Sequence, residues 1–157
     1  MGRLALAARA PSLVAALVLL VFAAAAVAQA QKLEPLTIVS GSARHAFEVE
    51  VMREDADRAQ GLMYRRSLAA DRGMLFDFVR VEPVSMWMKN TYISLDMVFI
   101  RPDGTIARIA ADTEPLSTRT ISSGEPVNGV LEVAAGTAAR LGIKPGDRVE
   151  HPMFRKR

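Results

Sequence analysis

The sequence contains no cysteine among its 157 residues. This absence excludes disulfides, thiol catalysis, thiolate zinc sites, iron–sulfur clusters, covalent haem attachment and lipoprotein processing at a cysteine. The H-E-x-x-H motif of zinc hydrolases and the G-x-S-x-G nucleophile elbow are also absent. The two histidines, His45 and His151, stand far apart in the sequence, and neither lies in a motif typical of a catalytic partner. The sequence therefore shows no recognisable catalytic constellation, and it indicates no cofactor.

Acidic side chains are missing from residues 1–30, which hold 24 of the 79 apolar residues of the chain. Arg3 and Arg9 precede an unbroken apolar run, Leu13–Ala28, and Ala28-Gln29-Ala30 fits the A-x-A cleavage pattern. This order is typical of a secretory signal peptide, so we expect cleavage after Ala30 and a periplasmic or secreted protein. The alternative is an uncleaved anchor, although the run is shorter than the roughly 20 residues that a bilayer crossing needs. Membrane contact is expected only in that case.

Without residues 1–30 the chain is almost neutral. Residues 31–157 carry a net charge of +1, and residues 31–154 carry −2, because the last three side chains are all basic. About 43% of the mature residues are apolar, which is typical of a soluble globular protein. A basic stripe with interleaved aromatics is lacking, so we expect no nucleic-acid partner and a solvated basic tail at 151–157.

The first half of the mature chain predicts one strand and one helix. Residues 31–45 are polar and are predicted to be a lead-in, with one possible short strand at Leu36–Ser40. Alternating apolar and polar residues predict a strand at Ala46–Met52. Three acids within Glu54–Asp57 favour the start of a short helix, which Gly61 would end.

The second half is mostly β in pattern. The Pro102-Asp103-Gly104 sequence predicts a hairpin turn, and Glu82-Pro83 predicts a break between two strands. Asp112–Asn128 is rich in Ser, Thr, Pro and Gly and is predicted to be a long functional loop. Gly136–Leu141 is predicted to be a second short helix, capped by Gly142. Strands are predicted at Met74–Phe78, Val84–Lys89, Asp96–Arg101, Thr105–Ala111, Gly129–Val133 and Arg148–Glu150. These elements indicate one α+β, mainly β domain at 46–150, compact, antiparallel and barrel-like, with two short helices.

Six motifs in a fixed order resemble those of the DUF192 (UPF0127, COG1430) family. They are Gln60–Arg65 (QGLMYR), Gly73–Phe76 (GMLF), Trp87–Thr91 (WMKNT), Leu95–Ile100 (LDMVFI), Val130–Gly136 (VLEVAAG) and Leu141–Asp147 (LGIKPGD). The resemblance covers about Phe47 to Val149, and it departs from the family pattern at Tyr64, where Phe is usual, and at Ser94, where Pro is usual. It implies a small, mainly β fold that is often exported or membrane-tethered in bacteria, and it implies no established reaction.

The densest group of unusual residues surrounds the only tryptophan. In a strand, Trp87 and Lys89 point to one side, and Asn90 follows them. One interpretation is structural, with Trp87 packed over a barrel edge. The other is a ligand surface made of Arg65, Trp87, Lys89, Asn90 and Asp96, with the 112–128 loop as a rim. A tryptophan beside polar groups can hold a sugar or another planar-faced ligand.

Asp96 and Glu132 are acids within apolar segments, where an unpaired charge is costly. We expect partners for both, with Arg65 as the best candidate. An alternative interpretation makes one of them a general base in an envelope hydrolase or lyase acting on glycans, which requires both carboxylates in one accessible cleft.

Methionine is a soft ligand, and Met86 and Met88 flank Trp87. Their spacing suggests a further alternative, Cu(I) binding in an exported protein. Most methionines lie in apolar strand patterns and are predicted to fill the core. The leading hypothesis is a non-enzymatic module of the cell envelope that binds a small molecule, a glycan or an envelope protein.

Overall fold

The computed structural model of the chain describes residues 32–154. The predicted signal peptide and its cleavage site, like Arg155–Arg157 of the predicted tail, lie outside the described residues. The described elements are β1 (Leu33–Ser40), β2 (Ala43–Met52), α1 (Asp55–Gln60), β3 (Arg72–Met86), β4 (Leu95–Ile100), β5 (Ile106–Ala110), β6 (Ile121–Ala134), α2 (Thr137–Leu141), β7 (Arg148–Glu150) and a 3-10 turn at Pro152–Phe154. The predicted α+β, mainly β class with two short helices is confirmed. Within residues 32–154, no helix is long and apolar enough to span a membrane.

The seven strands form one curled sheet in the order β5-β4-β6-β3-β2-β1-β7. A single bridge between Thr105 and Arg148 joins the β5 end of the sheet to the β7 end. Neighbouring strands are antiparallel except β2 and β3, which are parallel. The predicted antiparallel sheet thus contains one parallel pair, because residues 53–71 form a crossover that carries α1 and returns the chain to the same end.

Three segments have more strand than the sequence pattern predicts. The predicted lead-in, 31–45, holds β1 and the start of β2, since β1 pairs with β2 on one side and β7 on the other. The predicted break at Glu82-Pro83 lies inside β3, where the pairing with β6 shifts register but continues. The predicted loop, 112–128, ends at Ile121, where β6 begins.

The end of the domain also extends into the predicted tail. His151 and Phe154 are buried, and Phe154 packs with the cluster that contains Val149. The tail residues that the structure describes are therefore part of the folded domain.

The sheet buries both of its faces. The core face packs Leu75, Leu131 and Val149 with α2 and the 3-10 turn. The loop face packs Met74, Met97 and their neighbours against the connections at 61–71 and 87–94. Side chains alternate along each strand, so neighbouring residues of one strand belong to different faces.

The helix ends and the hairpin turn predicted from glycine positions are all present in the structure. Gly61 ends α1 with φ 47°, and Gly142 ends α2 with φ 67°. In the hairpin before β5, Gly104 has φ 87°, and a Cβ there would lie 2.5 Å from the Val149 carbonyl oxygen. Only glycine fits that position, which holds the hairpin against β7.

Candidate functional site

Two connections on the loop face are locked together through strained backbone. Tyr64 and Asn90 both have left-handed φ angles, 65° and 56°. The Tyr64 N–H donates to the Asn90 carbonyl at 2.8 Å, and the Asn90 amide donates to the Tyr64 hydroxyl at 3.0 Å. Left-handed backbone is unfavourable for tyrosine, so this local structure is maintained by the contacts that surround it. Such strain is concentrated at functional sites in proteins.

The same two connections expose three aromatic rings. Tyr64 is 60% exposed, Trp87 is 50% exposed and Tyr92 is 45% exposed. Tyr64 and Tyr92 meet edge to face with ring centroids 6.3 Å apart. The Lys89 ammonium lies 5.3 Å from the Trp87 ring centroid, and the Arg66 guanidinium lies 5.6 Å from that of Tyr92. Tyr64, Tyr92 and Arg66 thus form one cluster, and Trp87 and Lys89 form another on the 87–94 connection; we call the five residues together the aromatic surface.

The connection at 111–120 supports the back of this site. Its Ser117 carbonyl accepts from the Met88 N–H, and its Leu116 N–H donates to the Thr91 carbonyl, both at 3.0 Å. This connection also lines a groove of about 530 Å³. Side chains of both charges line the groove, among them Arg108, Asp112, Glu114 and Arg119. The predicted role of this segment as a rim of the ligand surface stays a prediction.

A small cavity of about 30 Å³ lies beside Trp87, and Glu132 lines it. Glu132 is 4% exposed, and no hydrogen bond or charge within residues 32–154 acts on its carboxyl. Burial raises the pKa of Glu132 to about 8. The carboxyl is therefore protonated and uncharged at neutral pH, because removing its proton would leave an unpaired charge in an apolar site.

Asp96 occupies the opposite face of the sheet. It pairs in register with Val133, whereas Glu132 pairs with Met97, so the two acids face different sides. The Asp96 carboxylate is fully buried and accepts three backbone N–H groups, those of Asp112, Gly136 and Ala138, at 2.8–3.2 Å. These bonds fix the backbone at Asp112, directly after β5, and at the start of α2. The role of Asp96 is therefore structural.

Three comparisons place the chain among known proteins. A sequence model of the DUF192 family, described as uncharacterised ACR (COG1430), matches residues 36–151. The chain belongs to the DUF192 family. No curated protein matches it significantly.

Two solved structures share the DUF192 fold of this chain. One, from Sinorhizobium meliloti, is called a "putative transcription regulator"; it is 50% identical, covers 76% of this chain and 94% of its own, and has a TM-score of 0.75. The other, a protein of unknown function from Novosphingobium aromaticivorans, is 38% identical, covers 80% and 89% of the two chains, and has a TM-score of 0.76. The family likeness therefore establishes the fold and leaves the activity open.

The DUF192 domain brings together only part of the predicted ligand surface. Trp87, Lys89 and Asn90 lie together on the loop face. Asp96 does not join them, because it points to the core face. Arg65 is near the site, but its expected pairing with Asp96 or Glu132 is wrong: both of its terminal nitrogens bind the Glu50 carboxylate at 2.6 Å.

The alternative chemical interpretations gain no support from these positions. Asp96 and Glu132 do not share a cleft, as a two-carboxylate hydrolase or lyase requires. Met86 lines the Glu132 cavity, whereas the Met88 sulfur is fully buried and accepts from the Thr113 hydroxyl at 3.1 Å. These positions do not support a shared copper site, and the Cu(I) interpretation stays a prediction. Within the described residues, no group of three His, Asp or Glu side chains could hold a metal ion.

Sequence reasoning missed Tyr64 and Tyr92. A signal for Tyr64 was present, since it is a departure from the usual Phe of the family and its hydroxyl is what binds Asn90. Tyr92 had no comparable signal, because its exposure depends on how the 87–94 connection turns after Asn90.

Proposed function

We propose that this DUF192 protein is an exported ligand-binding module of the cell envelope and that its aromatic surface binds a glycan. The observation that carries the proposal is the group of three exposed rings, Tyr64, Trp87 and Tyr92, on two mutually bonded connections. Apolar faces of sugar rings stack on aromatic side chains, and neighbouring amide and ammonium groups bind sugar hydroxyls. Asn90 and Lys89 are such groups.

Rigidity supports a binding role for this surface. Ligand binding costs less free energy when the contacting side chains are already ordered. Tyr64 is held by its ring contact with Tyr92 and by two hydrogen bonds with Asn90. Left-handed backbone at both Tyr64 and Asn90 costs conformational energy. A surface with no binding role would not need that strain.

The name of the Sinorhizobium meliloti relative suggests a nucleic-acid partner, but the charge of this chain favours a neutral ligand. Residues 31–154 sum to −2. The cations of the aromatic surface, Arg66 and Lys89, already lie over rings. Affinity for nucleic acid comes largely from basic side chains that neutralise phosphates, and this surface offers few of them.

Intrinsic fluorescence tests the proposal directly, because Trp87 is the only tryptophan. The probes are cellotriose and tri-N-acetylglucosamine, with a duplex oligonucleotide as the competing ligand class. We expect one of the trisaccharides to change Trp87 emission saturably. Tyr92→Ala should weaken that binding roughly five- to tenfold, since it removes one ring and the support of Tyr64. Val79→Ala, at an exposed apolar position of β3, is the matched control and should leave it unchanged.

Two outcomes would overturn the proposal. One is the absence of a saturable change with either trisaccharide; the other is a response to the oligonucleotide alone. Export is tested separately, by mass spectrometry of the protein recovered from the producing bacterium, and a mature N-terminus at Gln31 is expected. A chain that retains residues 1–30 would contradict cleavage after Ala30.

A further inference from the structure

We infer that the cavity beside Trp87 is a subsite for one uncharged hydrogen-bonding group of the ligand, a hydroxyl or an amide, and that the Glu132 carboxyl binds it. This inference rests on the proposed ligand-binding role of the aromatic surface and names the group that the surface selects.

Glu132 lies at a position where a carboxyl ordinarily has a hydrogen-bond partner within the protein. It lies on the loop face of β6, between Met74 of β3 and Met97 of β4, and is almost fully buried. Burying a polar group without a hydrogen bond is unfavourable. Nearly all such groups in proteins therefore have a partner. Residues 32–154 provide none here, and the Glu132 oxygens are not among the side-chain atoms sealed from solvent without a partner, so a group in the cavity that Glu132 lines can reach the carboxyl.

The walls of the cavity combine apolar side chains with residues of the aromatic surface. Leu62, Phe76 and Met86 give the cavity apolar walls beside Glu132 in its lining, and Trp87 and Lys89, which also line it, belong to the aromatic surface. A volume of about 30 Å³ accommodates one small polar group and not a sugar ring. The ring of a bound sugar would thus stay on the aromatic surface while one substituent enters the cavity.

The cations around Glu132 are already engaged elsewhere. Arg58 also lines the cavity, but its guanidinium binds the Asp55 carboxylate and the Asp77 carbonyl and lies 5.7 Å from the Phe78 ring centroid. Lys89 lies over Trp87.

The acids of β2 on this face are paired as well, and Glu48 is bound by Arg72 at 3.2 Å. Glu50 lies on the far side of Met74 from Glu132 and is bound by Arg65. No charged group that faces Glu132 from β2, β3, α1 or the 87–94 connection forms an ion pair with it.

The protonation state of Glu132 determines which ligand groups can form hydrogen bonds with its carboxyl in the cavity. Burial raises its pKa to about 8, so at neutral pH the carboxyl has both an O–H donor and a carbonyl acceptor. A hydroxyl or a primary or secondary amide offers the complementary acceptor and donor. A carboxylate would leave the Glu132 carbonyl without a donor, and an ammonium group would have to enter beside Lys89 and Arg58.

The first experiment probes the cavity without any sugar. The protein is labelled with ¹³C at the glutamate carboxyl carbons, and the Glu132 signal is assigned by its loss in Glu132→Gln. Acetamide, sodium acetate and methylammonium chloride are titrated separately near pH 6.5. We expect a saturable shift of the Glu132 signal with acetamide alone. A shift with methylammonium or acetate, or no shift with acetamide, would overturn the inference.

The second experiment measures tri-N-acetylglucosamine and cellotriose binding by Trp87 fluorescence in two variants. Glu132→Gln retains a donor and an acceptor, so we expect affinity within about threefold of the parent. Glu132→Leu keeps the size and removes both, so at least a tenfold loss is expected. Glu82→Gln, on an exposed part of β3, is the matched control. Urea unfolding of each variant checks that the fold is intact.

The outcomes separate this inference from the proposed function. If acetamide shifts the Glu132 signal and neither trisaccharide binds, the subsite stands and the glycan proposal fails. If a trisaccharide binds and Glu132→Leu, correctly folded, binds it as tightly as the parent, the glycan proposal stands and the subsite is refuted.

Discussion

The buried acid on β6 has a consequence for stability that can be measured without a ligand. Replacing Glu132 by Gln keeps the shape of the side chain and removes its ability to ionise. The unfolded chain exposes Glu132, whose pKa then has its ordinary value of 4.5, whereas the folded chain raises it to about 8. Glu132→Gln should therefore change how the free energy of unfolding depends on pH. Any effect of the substitution that does not depend on pH would add the same amount at every pH.

The sign and size follow from proton linkage. Between about pH 5 and pH 8 the unfolded state has released this proton and the folded state still holds it, so raising the pH favours unfolding. The free energy of unfolding falls by about 1.4 kcal/mol per pH unit across this window. The accumulated loss from Glu132 is about 3 kcal/mol at neutral pH and about 5 kcal/mol above pH 8. The Gln variant lacks this loss.

Urea unfolding followed by Trp87 fluorescence gives the required free energies at a series of pH values from about 5 to 9. We expect the difference between Glu132→Gln and the parent to grow in favour of the variant as the pH rises. Other titrating groups are common to both proteins and cancel in this difference. Glu82→Gln removes a carboxyl from an exposed position of β3 and should run parallel to the parent.

Parallel curves for Glu132→Gln and the parent would refute the reasoning. They would mean that Glu132 ionises in the folded protein as readily as in the unfolded chain, so that its burial is relieved by water or by local opening. A difference that shrinks with rising pH would contradict it equally, since it would require a stabilised carboxylate.

Two further predictions concern contacts that stabilise the fold, the hydrogen bonds of Asp96 and the close approach of Gly104 to Val149. Asp96→Asn should lower the free energy of unfolding by about 3 kcal/mol in urea titrations, because an amide cannot accept all three backbone N–H groups that the carboxylate binds; a loss below about 0.5 kcal/mol would contradict this. Gly104→Ala should cost about 2 kcal/mol more than Gly146→Ala in the same assay. Both glycines have positive φ, but only at Gly104 does the new Cβ meet a backbone oxygen, that of Val149; equal losses would refute the assigned contact.

Features set by local sequence were predicted correctly. Alternation at 46–52 gave a strand with Phe47 and Val49 buried, because a strand with one buried face repeats every two residues. Gly61 and Gly142 end their helices with positive φ, and Pro102-Asp103-Gly104 forms its hairpin. Each depends on the backbone preferences of a few consecutive residues, which the sequence shows directly.

Pairing with a distant segment overrode local chemistry at the start of β6. Residues 121–128 have the composition of a loop, yet they pair with β3. Ser123 makes this possible: its hydroxyl accepts from the Val84 N–H at 3.0 Å and donates to the Glu125 carbonyl at 2.6 Å. A side chain thus replaces a ladder bond where the register shifts, and no pattern within residues 121–128 predicts that Val84 lies opposite.

The ion pair of Arg65 depends on sheet register in the same way. Glu50 occupies a polar position of β2, and the alternation places it on the loop face, beneath the connection that carries Arg65. Asp96 was an equally good partner by sequence but faces the other side of the sheet. Predicting the correct pair needs the order of the strands, since composition gives only the number of charges.

Asp96 and Glu132 show how similar acids on neighbouring strands can serve opposite purposes. Asp96 has three backbone donors, so its bonding capacity is used within the fold and its role is structural. Glu132 has none and faces a cavity beside exposed Trp87. A fold that needed only to fill this position would be better served by an apolar side chain, because desolvation of the carboxyl is unfavourable. The cost is understandable if a ligand group supplies the missing partner, and for that reason Glu132, more than any other acid on the sheet, marks the site.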